Sequence, residues 1–127
     1  MAAGYNALLR NAQLDAITSF VGAGAKLRIY DGARPATGGG VTNLLAELTL
    51  GAPFAPAAAA GVLSPNLPAA VNAGATGTAT WFRVVKADGA THCFDGSVGS
   101  EMTLNTASIT SGLQVSVTGW TITRGNA

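Results

Sequence analysis

The stretch TGTATWFRVVKADGATHCFDGS, residues 76–97, decides the fold class of this 127-residue chain. Within it, Thr76 to Ala87 alternates between two sets of side chains, which is typical of a β-strand. One set is Thr78, Thr80, Phe82 and Val84, and the other is Ala79, Trp81, Arg83 and Val85. Asp88-Gly89 is a strong hairpin-turn signal, and Thr91 to Ser97 is the expected return strand. The stretch therefore predicts an antiparallel hairpin.

On the N-terminal side, the pattern predicts a helix over about residues 7–21. Asn6 is a suitable N-cap, apolar residues recur at three-to-four spacing, and Gly22-Ala23-Gly24 is a helix stop. The predicted apolar stripe consists of Leu8, Leu9, Ala12, Leu14, Ile17 and Val21. Lys26 to Tyr30 then alternates as a strand does, and Asp31-Gly32 ends it as a turn.

Further strands are predicted on both sides of the hairpin. The alternation in Leu44 to Leu50 favours a strand over a helix, and Leu104 to Ile109 is a possible short strand. Leu113 to Thr118 alternates strictly, and Gly119 then shifts the phase as a β-bulge does. With six or seven strands, we expect a mainly β fold: a small antiparallel β-sandwich or jelly-roll-like domain over residues 1–127 with one N-terminal helix. Its expected core includes Phe82, Val84, Val115 and Val117.

The composition argues against most chemical functions. Only 10% of the residues are charged, against about 25% in a usual soluble domain. The six acids are scattered singly, and there is one His and one Cys, so we expect no enzymatic activity, no metal and no cofactor. A net charge of +1 gives no steering toward nucleic acid. A surface this poor in charge tends to associate, so we expect contacts with other subunits, including copies of itself as a homo-oligomer.

Each candidate chemical group has a structural interpretation that we favour. His92 and Cys93 are neighbours on a predicted strand and should face opposite sides, as a surface His beside a small buried thiol. No feature places Asp31 near Asp95, and lone acids in turns are usually solvated. Cys93 has no second cysteine in the chain with which to form a disulfide.

We also favour structural interpretations of the glycine-rich and aromatic segments. Gly22 to Lys26 follows a helix and lacks the spacing of a phosphate-binding loop. Gly38 to Gly40 is interpreted as a flexible loop tip. Trp81, Phe82 and Trp120 lack interleaved Lys or Arg, which favours core packing over a stacking platform.

Residues 51–72 form a long predicted loop rich in proline and alanine, with a short strand near Gly61 to Leu63. Its prolines exclude a continuous membrane helix, and the N-terminus has no basic segment and no apolar one typical of a secretory signal. The part from 53 to 68, here called the arm, has too many prolines to pair fully in a sheet and too much apolar surface for a solvated loop. We therefore expect it to contact another protein chain; the alternative is that it folds back over its own domain and caps an open edge. The candidate contact residues are Pro53, Phe54, Pro56, Leu63, Pro65 and Leu67.

Several segments in order resemble a family of small structural proteins of tailed bacteriophages and prophages. They are residues 11–17 (NAQLDAI), 27–32 (LRIYDG), 34–36 (RPA), 44–50 (LLAELTL), 77–84 (GTATWFRV) and 95–99 (DGSVG). The resemblance spans about residues 5 to 124. It implies a virion protein made in the host cytoplasm, and it carries over no catalytic or ligand-binding residue.

Within a virion, the resemblance favours a capsid decoration, or cement, protein that binds the outer shell and bridges subunits of the major capsid protein. A head–tail connector or tail component is the alternative. A carbohydrate- or host-binding module that uses Trp81 or Trp120 is a third possibility from another functional class.

Overall fold

The computed structural model describes residues 6–51, 53–100 and 102–123. Helix α1, Ala7–Val21, has the predicted bounds. Asn6 caps it, because its side-chain oxygen accepts a hydrogen bond of 2.8 Å from the backbone N–H of Leu8. Gly22 ends the helix at a φ of +74°, a left-handed conformation that glycine adopts at little cost.

The buried side of α1 is narrower than the predicted stripe. Leu14 and Val21 are buried, and Ile17 packs against the core. The prediction was wrong for Leu8 and Leu9, which are 77% and 48% exposed, and for Ala12, which is also exposed. The helix therefore meets the rest of the molecule through its middle and C-terminal turns.

Twelve strands follow within the described residues, more than the six or seven predicted. They are β1 Lys26–Tyr30, β2 Leu44–Thr49, β3 Val62–Leu63, β4 Val71–Asn72, β5 Gly77–Thr78, β6 Trp81–Val85, β7 His92–Ser97, β8 Met102–Leu104, β9 Ser108–Ile109, β10 Gln114–Val115, β11 Val117–Trp120 and β12 Ile122–Thr123. Most of the excess arises because predicted strands are split. The Leu104 to Ile109 segment divides between β8 and β9, and the Thr76 to Ala87 strand divides into β5 and β6. Strand β4 is a different case, because it lies in residues 51–72, where a loop with one short strand, found as β3, is predicted.

The split between β5 and β6 has a clear cause in the hydrogen bonding. The N–H of Ala79 donates to the C=O of Ala107, whereas the next N–H, that of Thr80, donates to the C=O of Tyr30. The chain thus leaves one partner strand and joins another within two residues. The predicted alternation breaks here, because Ala79 belongs to the same apolar core as Phe82 and Val84.

One four-stranded antiparallel sheet, in the order β2-β1-β6-β7, forms the centre of the fold. The predicted hairpin is its β6–β7 half, with Phe82 opposite Gly96 and Arg83 opposite Asp95. A register shift near Val85 marks a bulge in this pair.

One side of this sheet, here called the core face, packs into the apolar core. Leu27, Ile29, Leu48, Phe82 and Val84 all lie on it and are at most 1% exposed. The ring of Phe82 covers Gly96 so closely that a Cβ there would lie 2.3 Å from a ring carbon. Glycine is therefore required at this position of β7.

Four two-stranded antiparallel ladders complete the structure: β3–β12, β4–β10, β5–β9 and β8–β11. The bulge predicted at Gly119 is confirmed by a register shift between Val117 and Gly119. Burial of Val115 and Val117 confirms them, like Phe82 and Val84, as core residues. The mainly β class with one helix is confirmed, whereas the sandwich or jelly-roll arrangement stays a prediction. Within the described residues, no helix has the length and apolar character needed to cross a membrane.

Candidate functional site

The arm, residues 53–68, lies against the core of its own chain for part of its length. Phe54 is 1% exposed and packs edge-on against Trp120 at 5.4 Å between ring centroids. Leu63 is fully buried in β3, and Pro65 is buried as well. These three of the six candidate contact residues are thereby removed from any contact surface in this conformation.

Polar side chains of α1 hold the arm in place. Asp15 accepts a hydrogen bond of 2.8 Å from the backbone N–H of Ala58, and Asn11 accepts one of 2.9 Å from that of Gly61. These bonds satisfy arm backbone groups that have no strand partner, which the prolines of the arm make necessary. The buried part of the arm, which includes Phe54, Leu63 and Pro65, therefore folds back over its own domain, as the alternative prediction states.

A tight turn projects from the arm. Ala59 and Val62 exchange two backbone hydrogen bonds of 3.0 and 2.9 Å. Ala60 and Gly61 between them have φ angles of 52° and 74°, as the type I′ hairpin turn requires. Ala60 is the one non-glycine residue with a positive φ in the described part of the chain. The turn presents Ala59 and Ala60 to solvent.

The exposed half of the arm is uncharged. Pro53 and Pro56 are exposed, and Leu67 is 49% exposed. The sequence contains no charged residue from position 48 to position 82, so the surroundings of the arm along the chain are neutral too. The three exposed candidates are therefore uncharged side chains within an uncharged stretch of the sequence. Whether they bind a partner stays a prediction.

The other candidate site lies on the opposite side of the main sheet, here called the loop face. Residues 31–43, the cover loop, cross this face and enclose Arg83 and Asp95. The carboxylate of Asp95 accepts from Arg83 Nε at 2.7 Å and Nη2 at 3.1 Å, and from the backbone N–H of Gly38 at 3.1 Å. His92 Nε2 lies 3.0 Å from the same carboxylate. Gly38 to Gly40 was interpreted as a flexible tip; instead Gly38 and Gly39 bond this ion pair, since Gly39 C=O accepts from Arg83 at 2.9 Å.

These contacts make Asp95 a structural carboxylate. Its side chain is 0% exposed, so the expectation of a solvated acid was wrong. Burial raises its pKa, but the hydrogen bonds from Arg83, Gly38 and His92 outweigh that effect and hold the pKa below its ordinary value. Because its oxygens are already occupied by four donors, Asp95 is poorly suited to take a proton from a substrate.

The remaining chemical candidates are kept apart by the fold. Asp31 bonds the backbone N–H of Asn43 at 3.1 Å and is not in contact with Asp95 among the bonds described. His92 is on the loop face, whereas Cys93 packs toward α1, as predicted for neighbours on a strand. Burial raises the pKa of the Cys93 thiol, which disfavours a reactive thiolate. In the described part of the chain, no three metal-ligating side chains come together.

Neither tryptophan presents a ring face to solvent. Trp81 is fully buried, stacks on Tyr30 at 4.4 Å, and donates its indole N–H to Asp31 C=O at 3.1 Å. Trp120 is 5% exposed within a cluster that includes Phe54 and Phe82. A sugar could stack on either indole only after the surrounding chain had moved.

Comparison with known proteins adds no relative. No family model matches the chain, and no curated protein or solved structure matches it either. The functional argument therefore depends on the residues and their geometry.

Proposed function

We propose that this protein is a structural component of a bacteriophage virion, and specifically a capsid decoration, or cement, protein that binds the outer shell and bridges capsid subunits. The observation that carries the proposal is the neutral, exposed half of the arm, held on α1 by Asp15 and Asn11. Centres of protein interfaces are depleted of charge, and such a surface suits close contact with a neighbouring subunit.

The geometry supports a binding role better than a catalytic one. The most enclosed ionic group, Asp95, has its oxygens filled by protein donors, so it serves the fold. The resemblance to small virion proteins supports a place in the virion, and the exposed half of the arm is the surface that we propose binds the shell. Pro53, Pro56 and Leu67 are the proposed contact residues, and the partners are the major capsid protein and further copies of this chain.

The proposal is tested on particles of the phage that encodes the protein. Quantitative mass spectrometry of purified virions should find a copy number close to that of the major capsid protein. A few copies per particle would favour the head–tail connector or tail role instead, and absence from virions would overturn the proposal.

A matched pair of variants locates the contact. Purified protein is added to particles that lack it, and bound protein is measured by co-sedimentation. Leu67→Asp should weaken binding about tenfold or more, because a carboxylate would have to be desolvated in the contact. Leu113→Asp is the control, because Leu113 is similarly exposed, at 57% against 49%, but lies outside the arm. Equal binding by both variants would exclude the arm as the contact surface.

A further inference from the structure

Strand β7 is an outer strand of the main sheet and presents backbone groups away from it. The N–H of Val98 donates to the C=O of Thr80 at 3.0 Å, which fixes the alternation along the β6–β7 ladder. Residues 94 and 96 therefore direct their N–H and C=O toward β6, and Asp95 directs its own outward. A bond of 3.4 Å from Arg34 Nη2 to the Asp95 C=O agrees with this direction.

Two apolar cavities flank this edge. One, of about 250 Å³, lies between α1 and β7 and is lined by Ile17, Phe20, Cys93 and Phe94 among others. The second, of about 180 Å³, lies between β7 and residues 120–123. Phe94 lines both cavities and separates them.

We infer that the outer edge of β7 is a docking site for an extended, uncharged β-strand of another polypeptide. The strand's backbone would pair with Asp95, and two of its apolar side chains, at positions i and i+2, would enter the two cavities on either side of Phe94. This inference concerns the edge of β7 and stands apart from the role proposed for the arm.

The geometry selects an extended strand over other occupants. Side chains on one face of a strand recur every second residue, about 6.6–6.8 Å apart, which suits two cavities separated by one aromatic ring. A docked helix would fill an apolar groove but would give the outward Asp95 N–H no partner, since its own backbone groups are bonded internally. Pairing at an edge combined with pockets for alternate side chains is an established mode of peptide recognition.

The residues that line the two cavities indicate which side chains the docked strand would have. No charged side chain lines the first cavity within the described residues, and the acid at the second, Asp95, is already paired with Arg83. Uncharged apolar side chains are therefore favoured at both positions. Trp120 lines the second cavity, and its indole N–H is buried without an acceptor within the part of the chain that is described. A carbonyl oxygen of an entering strand would satisfy this donor after a small side-chain movement.

The side chain of Arg34 partly covers the outer edge of β7. Its guanidinium donates to Ser97 Oγ at 3.0 Å as well as to the Asp95 C=O, so it lies along the outer side of β7. Charged side chains across a strand edge discourage pairing with other strands. An incoming strand would have to displace the bond of 3.4 Å to Asp95, which is long and therefore weak.

The test uses the full ¹⁵N-labelled chain and a capped hexapeptide of alternating threonine and valine, followed by amide and indole NMR shifts. Saturable shifts are expected at the Asp95 amide and the Trp120 indole. Arg34→Ala should tighten binding by about threefold to tenfold, because one competing hydrogen bond is lost. Arg28→Ala is the control for loss of positive charge, since Arg28 bonds Glu47 on the loop face.

Controls on the ligand separate the alternatives. The same peptide N-methylated at every threonine and valine has no backbone N–H to donate to β7 in either strand direction and should not bind. Equal binding by that peptide, or no saturable shift at Asp95 with the unmodified peptide at millimolar concentration, would overturn the inference. Two further results would also overturn it. Shifts at Trp120 that methyl glucoside causes and the peptide does not would indicate a sugar site. Shifts at Asp95 that depend only on protein concentration would indicate binding of a second copy of this chain.

Discussion

The two faces of the main sheet are held by different forces, even at positions where both are fully buried. On the core face Phe82 is 1% exposed, and on the loop face its neighbour Trp81 is 0% exposed. Phe82 packs among aromatic and aliphatic groups, whereas Trp81 donates hydrogen bonds to Asp31 and Thr42 and lies under the guanidinium of Arg83, 5.3 Å from its ring centroid. Burial alone therefore does not reveal how a face is stabilised. Close packing of apolar side chains stabilises the core face, whereas directional hydrogen bonds and the contact between Arg83 and Trp81 stabilise the loop face.

A row of four charged residues crosses the loop face and shows the contrast within one interaction type. Register places Glu47, Arg28, Arg83 and Asp95 side by side across the four strands. The pair Arg28–Glu47 has side chains 25% and 39% exposed, whereas Arg83 and Asp95 are 10% and 0% exposed under the cover loop. The row thus contains one ion pair that is partly exposed to water and one that is buried, so the two can be compared within the same sheet.

The largest effect is expected on the core face. Phe82→Ala should lower the free energy of unfolding by about 3–5 kcal/mol, because it removes a buried ring and leaves a cavity over Gly96. Urea unfolding followed by circular dichroism measures the change. A loss below about 1 kcal/mol would contradict the assignment of Phe82 to the core face, since surface substitutions have effects of that size.

The next effect is expected within the charged row. Asp95→Asn should cost about 3 kcal/mol, near the lower end for breaking a buried ion pair, because Arg83 loses its charged partner while remaining enclosed. Glu47→Gln is the matched control and should cost less than about 1 kcal/mol, because its pair is exposed. Equal costs for the two variants, measured by urea unfolding, would show that the cover loop does not change the environment of the row.

The smallest effect is a difference in acid sensitivity. Because Asp95 has a lowered pKa in the folded state, its contribution is present above the ordinary aspartate pKa of about 3.9 and is lost as pH falls through the folded value. The native chain should lose stability below about pH 4, and Asp95→Asn should lose less over the same range. Asp88, whose pKa is lowered to about 2 by hydrogen bonds from Thr91 and Ala90, gives both proteins a remaining slope of the same sign. Parallel stability curves from pH 5 to 2 would exclude a special role for Asp95.

The fold was predictable where local patterns and global contacts agree. The helix has the predicted bounds, and β1 and the β6–β7 hairpin match closely, because cap, period and turn all indicate the same element. Alternation cannot reveal a change of partner strand, which is why the split at Ala79 and Thr80 was missed. Alternation also cannot tell how much of a helix stripe is covered, as Leu8 and Leu9 show.

The candidate site was less predictable because its parts are distant in sequence. Asp95 depends on the backbone N–H of Gly38, and no side-chain pattern marks a backbone donor 57 residues away. The arm combines proline with apolar residues, a composition that suits packing on its own chain and on a partner equally well. Only the fold shows that Phe54 and Leu63 are buried while Leu67 is not.

The attachments of the arm also set the order in which the chain can mature. Its hydrogen bonds reach back 43 and 50 residues to α1, and its strand β3 pairs with β12, some sixty residues later. Loop-closure entropy makes such distant contacts slow to form. During synthesis, the arm therefore emerges well before the strand that completes it. Its apolar side chains stay uncovered for that interval, and uncovered apolar side chains are what chaperones bind.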